Sequence, residues 1–308
     1  MSSDPGAGLA LIDDEMVPVS EARLPILDWG FLHSDATYDV AHVWQGRFFR
    51  LDDHLDRFSA GMEKLRMRIP HDRDAIRDRL HDLVAAAGLR EAYVEMICTR
   101  GQPQAGSRDP RTCTNRFLAF AVPFIWIADP AKQETGLHLT ISRMQRIPPA
   151  SVDPAVKNYH WLDMVQALFE AYDRGGETAI TVDAHDHVVE GPGFNLFVVR
   201  DGDLATPAIG VLPGVTRRTV MEIGRAHGRA VDAGPVSAEA VRSADEVLIT
   251  STAGGVMPVT HVDGTVIGDG TPGPVTRALR DAYWALHEDP RYSLAVDYER
   301  AGGDRDGD

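Results

Sequence analysis

The chain has 308 residues, 44% of them hydrophobic, enough for a substantial core and for two domains or one large one. Acidic residues outnumber basic ones by 46 to 31, and the formal charge of −15 argues against nucleic acid or an anionic membrane as a partner. Cys98 and Cys113 have no metal-ligand spacing and no disulfide framework around them, no apolar run reaches membrane-spanning length, and residues 1–11 lack a signal-peptide pattern. A reducing cytoplasm and no metal site are therefore expected.

Residues 8–19 read as an opening hairpin. Alternation over 36–51, broken by Gln45-Gly46, predicts a second one. Leu51, Leu55, Phe58, Met62 and Leu65 fall on one helical face, and a further helix is expected over about 72–87, ended by Gly88. Strands are expected at 91–99 and 115–124, then a Pro-marked linker. The second half reads as a strand at 136–143, a helix from about 159 to 173, and strands at 178–183, 187–190 and 194–200. A helix over about 215–227, a strand at 246–250 and a last helix over about 273–287 follow. The mixture is α+β: a strand–helix half over 1–124, a linker at 125–132 and a larger strand-rich half over 133–308, whose charged, Gly-rich end at about 302–308 is expected to be disordered.

Lysine is scarce: Lys64, Lys132 and Lys157 are the whole set. Lysine is the side chain that condenses with aldehyde cofactors. Lys64 sits on a charged helix face and Lys132 in a segment that reads as a loop. Lys157 stands in Pro154-Ala155-Val156-Lys157-Asn158-Tyr159-His160-Trp161, among apolar and aromatic neighbours just before a helix, and is the candidate for amine chemistry.

Other features suit the remaining parts of a pyridoxal phosphate site. Glu190, before Gly191-Pro192-Gly193, can hold a pyridine nitrogen protonated, next to glycines that let backbone approach closely. Gly214-Val215-Thr216 opens a helix and Ser251-Thr252 ends a strand, so amides and hydroxyls are available for a phosphate. Arg57, in Leu51-Asp52-Asp53-His54-Leu55-Asp56-Arg57, adds a cation. Singly, each has a plainer reading: a surface lysine, an exposed strand-end acid, ordinary Pro-Gly punctuation, or Arg57 paired with Asp53 at helical spacing. Their joint order and spacing outweigh those readings.

With Gly30 to Val40, Tyr93-Val94-Glu95, Val156-Lys157-Asn158 with Trp161 and Asp163, and Ser251 to Pro258, the chain resembles the class IV, fold-type IV aminotransferases over about residues 25–298. Within them it is most similar to the (R)-selective amine transaminases. The resemblance implies a small α/β N-terminal domain, a larger C-terminal domain built on a pseudo-barrel, and a homodimer with active sites near the interface. It implies pyridoxal 5'-phosphate on Lys157, Glu190 at the pyridine nitrogen, and Arg57, Val215, Thr216, Ser251 and Thr252 around the phosphate. His33, Tyr38, Val40, Tyr93, Glu95, Trp161 and Ala253 match substrate positions, for which ordinary core packing is the alternative, above all at Val40 and Trp161.

Branched-chain aminotransferases resemble Tyr-x-Arg where this chain has Tyr93-Val94-Glu95, and an acid there does not favour a substrate carboxylate. The loop Gln102 to Pro110 lacks the Pro-Arg-x-His of D-amino acid transaminases and the Gly/Arg-rich continuation of aminodeoxychorismate lyases. Arg108 in that loop is a candidate to swing in for a keto acid and out for an amine. The reading is transfer of an amino group from an (R)-configured primary amine to a keto acid such as pyruvate. The alternatives are a D-amino acid or branched-chain transaminase and, behind them, an aminodeoxychorismate lyase. Intact Lys157 and Glu190 argue against a non-catalytic scaffold.

Overall fold

The computed structural model describes residues 7–299, which fall into two compact units. The first takes residues up to Ile125, Val156–Tyr159 and residues from His287; the second takes Trp126–Ala155 and His160–Leu286. Compactness thus groups Lys157 and the C-terminal segment with the first unit, although chain order places them in the second half. The tail at about 302–308 lies outside the described residues.

In the first unit, seven strands among the described residues form an antiparallel sheet. Their order is Ser293–Ala295, Arg47–Phe49, Ala36–Trp44, Ala92–Gln102, Thr114–Pro123, Leu9–Ile12, Glu15–Pro18. Both expected hairpins are present, and Gln45 and Gly46 turn the second with φ of 49° and 76°, the left-handed pair that matches strand twist. Helices Leu51–Lys64 and Arg73–Ala87 supply Leu55, Phe58, Leu80 and Leu83 to one core, together with Ala41, Val43, Val94 and Met96 of the sheet. Because side chains alternate along a strand, Tyr38, Val40, Tyr93 and Glu95 point to the other face, with Val40 opposite Glu95 in the register. Asp39 points back to the helices.

The second unit is built on a ten-stranded sheet. Its order is Val231–Gly234, Asp203–Pro207, Asn195–Arg200, Glu246–Ser251, Gly255–Val262, Leu137–Gln145, Thr178–Val182, His187–Val188, Val236–Ser237, with Thr265–Val266 paired to Gly255–Val262. The two ends of that order, Val231–Gly234 and Val236–Ser237, are separated in the chain by Pro235 alone, so the sheet must curl until its edges nearly meet. Leu139, Ile180, Leu196, Val198, Val247, Ile249, Met257 and Val259 fill one core. Strands Leu137–Gln145 and Thr178–Val182 are parallel and joined through helix Leu162–Asp173, while Val215–Ala226 and Pro274–Ala285 pack by Glu246–Ser251 and Gly255–Val262.

Several expectations need correction. The helix after Lys157 begins at Leu162 rather than near 159, because Trp161 has non-helical backbone and no side chain caps the start. Lys132 lies in the short helix Pro130–Thr135, N-capped by Asp129, rather than in a loop. The strand expected at 187–190 is only His187–Val188.

Candidate active site

The predicted residues gather into two groups, one in each unit. In the first unit, Val156–Tyr159 lies along strand Ala36–Trp44: Thr37 and Asn158 form an antiparallel bridge, and the Lys157 carbonyl accepts from Tyr38 N at 3.0 Å and Thr37 Oγ1 at 2.9 Å. The backbone of half-buried Lys157 is thereby held, and its Nζ sits 4.5 Å from the centre of the Tyr38 ring. Among the described residues that ammonium is in no ion pair, whereas Lys132 is held by Glu177 at 2.7 Å.

Tyr159, which the sequence reading did not single out, stacks on Tyr38 at 4.3 Å and donates to Glu95 Oε1 at 2.6 Å. Tyr93 donates to Oε2 at 3.1 Å. Burial pushes the Glu95 carboxyl up, the two phenols and the Lys157 charge pull it down, and the balance leaves it above the ordinary glutamate range. Burial and the Glu95 charge drive the Tyr159 and Tyr93 phenols far above their ordinary value, so both stay protonated donors.

Arg57 meets Asp39 from the helix side, Nε to Oδ2 at 2.7 Å and Nη2 to Oδ1 at 2.8 Å, and His54 Nδ1 lies 2.7 Å from the same Oδ1. Asp39 is thus a partner of Arg57, while Asp53, whose charge also acts on Arg57, pairs with Arg50 at 3.2 Å. Burial opposes ionisation of Asp39, but Arg57 and then His54 outweigh it and hold the carboxyl far below the usual range. Burial lowers His54 despite Asp39. His33 is exposed with its ring 4.6 Å from Trp29, Val40 is buried, and Arg108 is exposed in the loop between strands Ala92–Gln102 and Thr114–Pro123. Asp109 beside it is taken by Arg111.

In the second unit Glu190 is buried. Its Oε1 accepts from Arg146 Nε at 3.1 Å and its Oε2 from Leu212 N at 2.8 Å. The backbone contact ties it to Leu212-Pro213-Gly214, the loop that opens helix Val215–Ala226. Asn195 braces the same loop, donating to Leu212 O at 3.1 Å, and any Cβ on Gly214 would strike the Asn195 amide oxygen. No side chain caps that helix, which leaves its first amides, with buried Thr216, to meet an anion. Ser251 donates to Gly193 O at 2.8 Å and accepts from Ala253 N at 3.1 Å, so its hydroxyl fixes the turn carrying Thr252 and Ala253. Trp161 flanks Gly193. Arg146 was also missed by sequence reasoning: it lies 44 positions from Glu190, and nothing local marks it.

Residues 36–262 match the model of the amino-transferase class IV family. A branched-chain-amino-acid aminotransferase of Pseudomonas aeruginosa is 29% identical over 284 residues, 91% of this chain and 92% of that protein. A D-alanine aminotransferase of Listeria innocua is 27% identical over 284 residues, 89% of this chain and 94% of that protein. The solved structure of the T.th. branched-chain amino acid aminotransferase with pyridoxamine 5'-phosphate superposes with a TM-score of 0.88 at 27% identity, covering 94% of this chain and 99% of that one.

Proposed function

The chain belongs to the amino-transferase class IV family, with the fold-type IV architecture, and we propose that it is a pyridoxal 5'-phosphate-dependent transaminase using Lys157 as the cofactor-bearing lysine. The observation that carries this is half-buried Lys157: its amine over the Tyr38 ring, its backbone clamped to a strand, and in no ion pair among the described residues. The donor set fits the cofactor. Glu190 is a buried carboxylate suited to a pyridine nitrogen, and the uncapped start of Val215–Ala226, with Thr216, Ser251 and Thr252, suits a phosphate; the family resemblance adds Arg57 to that phosphate set.

When bound, pyridoxal phosphate supplies an aldehyde for the amine and a ring that withdraws electrons from the carbon losing its proton. Lys157 would hold that aldehyde and, when free, would serve as the base that takes the donor's α-proton and returns it. General base action of this kind is worth about 10²–10⁴-fold. Tyr38 and Tyr159 wall the amine, and Tyr93 and Tyr159 keep Glu95 in place.

For the donor we propose a primary amine without an α-carboxylate, of (R) configuration, with a keto acid such as pyruvate as acceptor. Glu95 supports this, since a second carboxylate beside it meets like charge. The hand rests on the family resemblance. His33, Val40, Trp161 and Ala253 complete the proposed substrate positions, and Arg108 would receive the keto acid. A second reading, a branched-chain or D-amino acid donor, is favoured by the names of the relatives. We place the enzyme in the cytoplasm, in keeping with free Cys98 and Cys113; no helix among the described residues is long and apolar enough to cross a membrane. We also propose a homodimer, supported by an exposed apolar stripe on helix Leu162–Asp173.

The test is purified protein with pyridoxal phosphate and a panel of donors: each enantiomer of 1-phenylethylamine with pyruvate, D-alanine, and L-leucine with 2-oxoglutarate. Ketone from the (R)-amine alone supports the first donor reading. Turnover confined to amino acids replaces it with the second, and no transfer from any donor sinks both.

A further inference from the structure

Asp163 follows Lys157 closely in the chain and is not among the residues proposed to touch the cofactor or substrate. It is buried in the first turn of helix Leu162–Asp173. Its Oδ2 accepts from Arg146 Nη1 at 2.7 Å and Ile147 N at 2.9 Å, and its Oδ1 from Met164 N at 2.8 Å. The other arm of Arg146 donates from Nε to Glu190 Oε1 at 3.1 Å, and Nη1 also reaches His160 O at 3.3 Å. A carboxylate, a guanidinium and a second carboxylate therefore stand in a row, with side-chain exposures of 8%, 10% and 7%. Of the other acids on the same helix, Glu170 is engaged with Ser142 and Arg174, and Asp173 is exposed at the helix end.

We propose that Asp163 is a positioning residue for Glu190, acting through Arg146 to fix the aim of that carboxylate and the charge it presents. The inference rests on the reading of Glu190 as the partner of the cofactor's pyridine nitrogen. A guanidinium facing Glu190 alone would draw its electrons away and weaken its hold on a nitrogen-bound proton. Asp163 shares the guanidinium and offsets part of that effect. Two backbone amides hold Asp163 in place, and the planar fork of Arg146 transmits the orientation. Burial makes the coupling strong, because little solvent screens it. Asp163 and Glu190 are the charges that act most on Arg146, and after burial they hold its proton more firmly than usual.

The experiment uses the pyridoxal phosphate-loaded protein and its Asp163→Asn and Asp163→Glu variants. Two quantities are read besides turnover: the pH midpoint of the cofactor's visible absorbance band and the ¹⁵N shift of a labelled pyridine nitrogen. Asp163→Asn removes one negative charge from the row, so the midpoint should move to lower pH by about one unit, the size Coulomb's law gives for a buried charge several ångströms away. The ¹⁵N signal should move toward the unprotonated nitrogen and the amine half-reaction should slow about tenfold. Asp163→Glu, which restores the charge, should recover the midpoint in part.

An Asn variant that is less heat-stable yet keeps midpoint, ¹⁵N shift and rate would make Asp163 structural and overturn the proposal. If Asp163→Asn does not fold, Arg146→Lys is read instead. A single ammonium cannot hold both carboxylates in this geometry, so an unchanged midpoint there also overturns it. A parent protein that forms no visible band removes the underlying reading. A parent band that Glu190→Gln leaves unaltered removes only the role of Glu190, and this inference with it.

Discussion

At the scale of single residues, two buried acids behave in opposite ways. Glu95 titrates above the ordinary glutamate range, so its contribution to stability is complete below that range and is lost as pH rises through the folded value. Glu95→Gln should therefore raise the melting temperature at pH 7–8 and leave it nearly unchanged near pH 4, while improving turnover of α-carboxylate donors relative to plain amines. A melting-temperature series against pH, with two donors assayed in parallel, checks both; a lower melting temperature at pH 8 would contradict the sign. Asp39 is the reverse: its carboxyl is held down by Arg57 and His54, so the stability it supplies is present above the ordinary aspartate range and is lost as pH falls below it. Arg57→Ala leaves that carboxylate buried and should cost about 3–5 kcal/mol by urea denaturation. Adding Asp39→Asn should recover part of that loss, and only the double variant can report cleanly on phosphate binding. Lys157 is the simplest case: borohydride reduction should place the pyridoxyl label on Lys157 and not on Lys64 or Lys132, with Lys157→Ala inactive.

At the scale of elements, the readable ones carried local signals. Gln45-Gly46 marks its hairpin, and Gly88 ends helix Arg73–Ala87 in the left-handed conformation at φ 68°. Strand Gly255–Val262 gave no such signal. It opens on Gly255, directly after Gly254, and carries Pro258 in its middle, features that argue against a strand, yet it lies between Glu246–Ser251 and Leu137–Gln145. Neighbours distant in sequence decide it. The end strands Val231–Gly234 and Val236–Ser237 are likewise too short for alternation to reveal. Helix Pro274–Ala285 shows how such long-range partners act. Glu246, 8% exposed, receives Val275 N at 2.9 Å, Thr276 N at 2.7 Å and Thr276 Oγ1 at 2.7 Å, taking the place of a local cap. Glu246→Ala strands those donors and should cost about 1–3 kcal/mol in thermal or chemical denaturation. Glu246→Gln should cost less. If Ala and wild type melted together, water rather than Glu246 would be serving those amides.

At the scale of the molecule, the residues proposed for chemistry carry a signal in the sequence that the residues around them lack. Lys157 and Glu190 stand out because few residue types could do the work proposed for them. Tyr159, Asp39 and Arg146 matter through partners 64, 18 and 44 positions away, and such pairings leave no local trace. The surface poses a related problem of scale. A chain of formal charge −15 resists self-association, yet helix Leu162–Asp173 turns Leu162, Val165, Phe169 and Tyr172 outward, the first 80% and the third 59% exposed. The spacing 162, 165, 169, 172 is one helical stripe; Asp163 turns inward to Arg146 and Glu170 to Ser142 and Arg174, which leaves Asp173 as the exposed acid at the helix end. Apolar area of this kind, free of charge, is what a subunit interface requires of an acidic protein. The homodimer should therefore appear in sedimentation at micromolar concentration, and Phe169→Glu, placing a like charge on each copy, should shift it toward monomer without unfolding the protein. A dimer indifferent to Phe169→Glu would place the interface on another surface, and a wild-type monomer would remove the homodimer from the reading altogether.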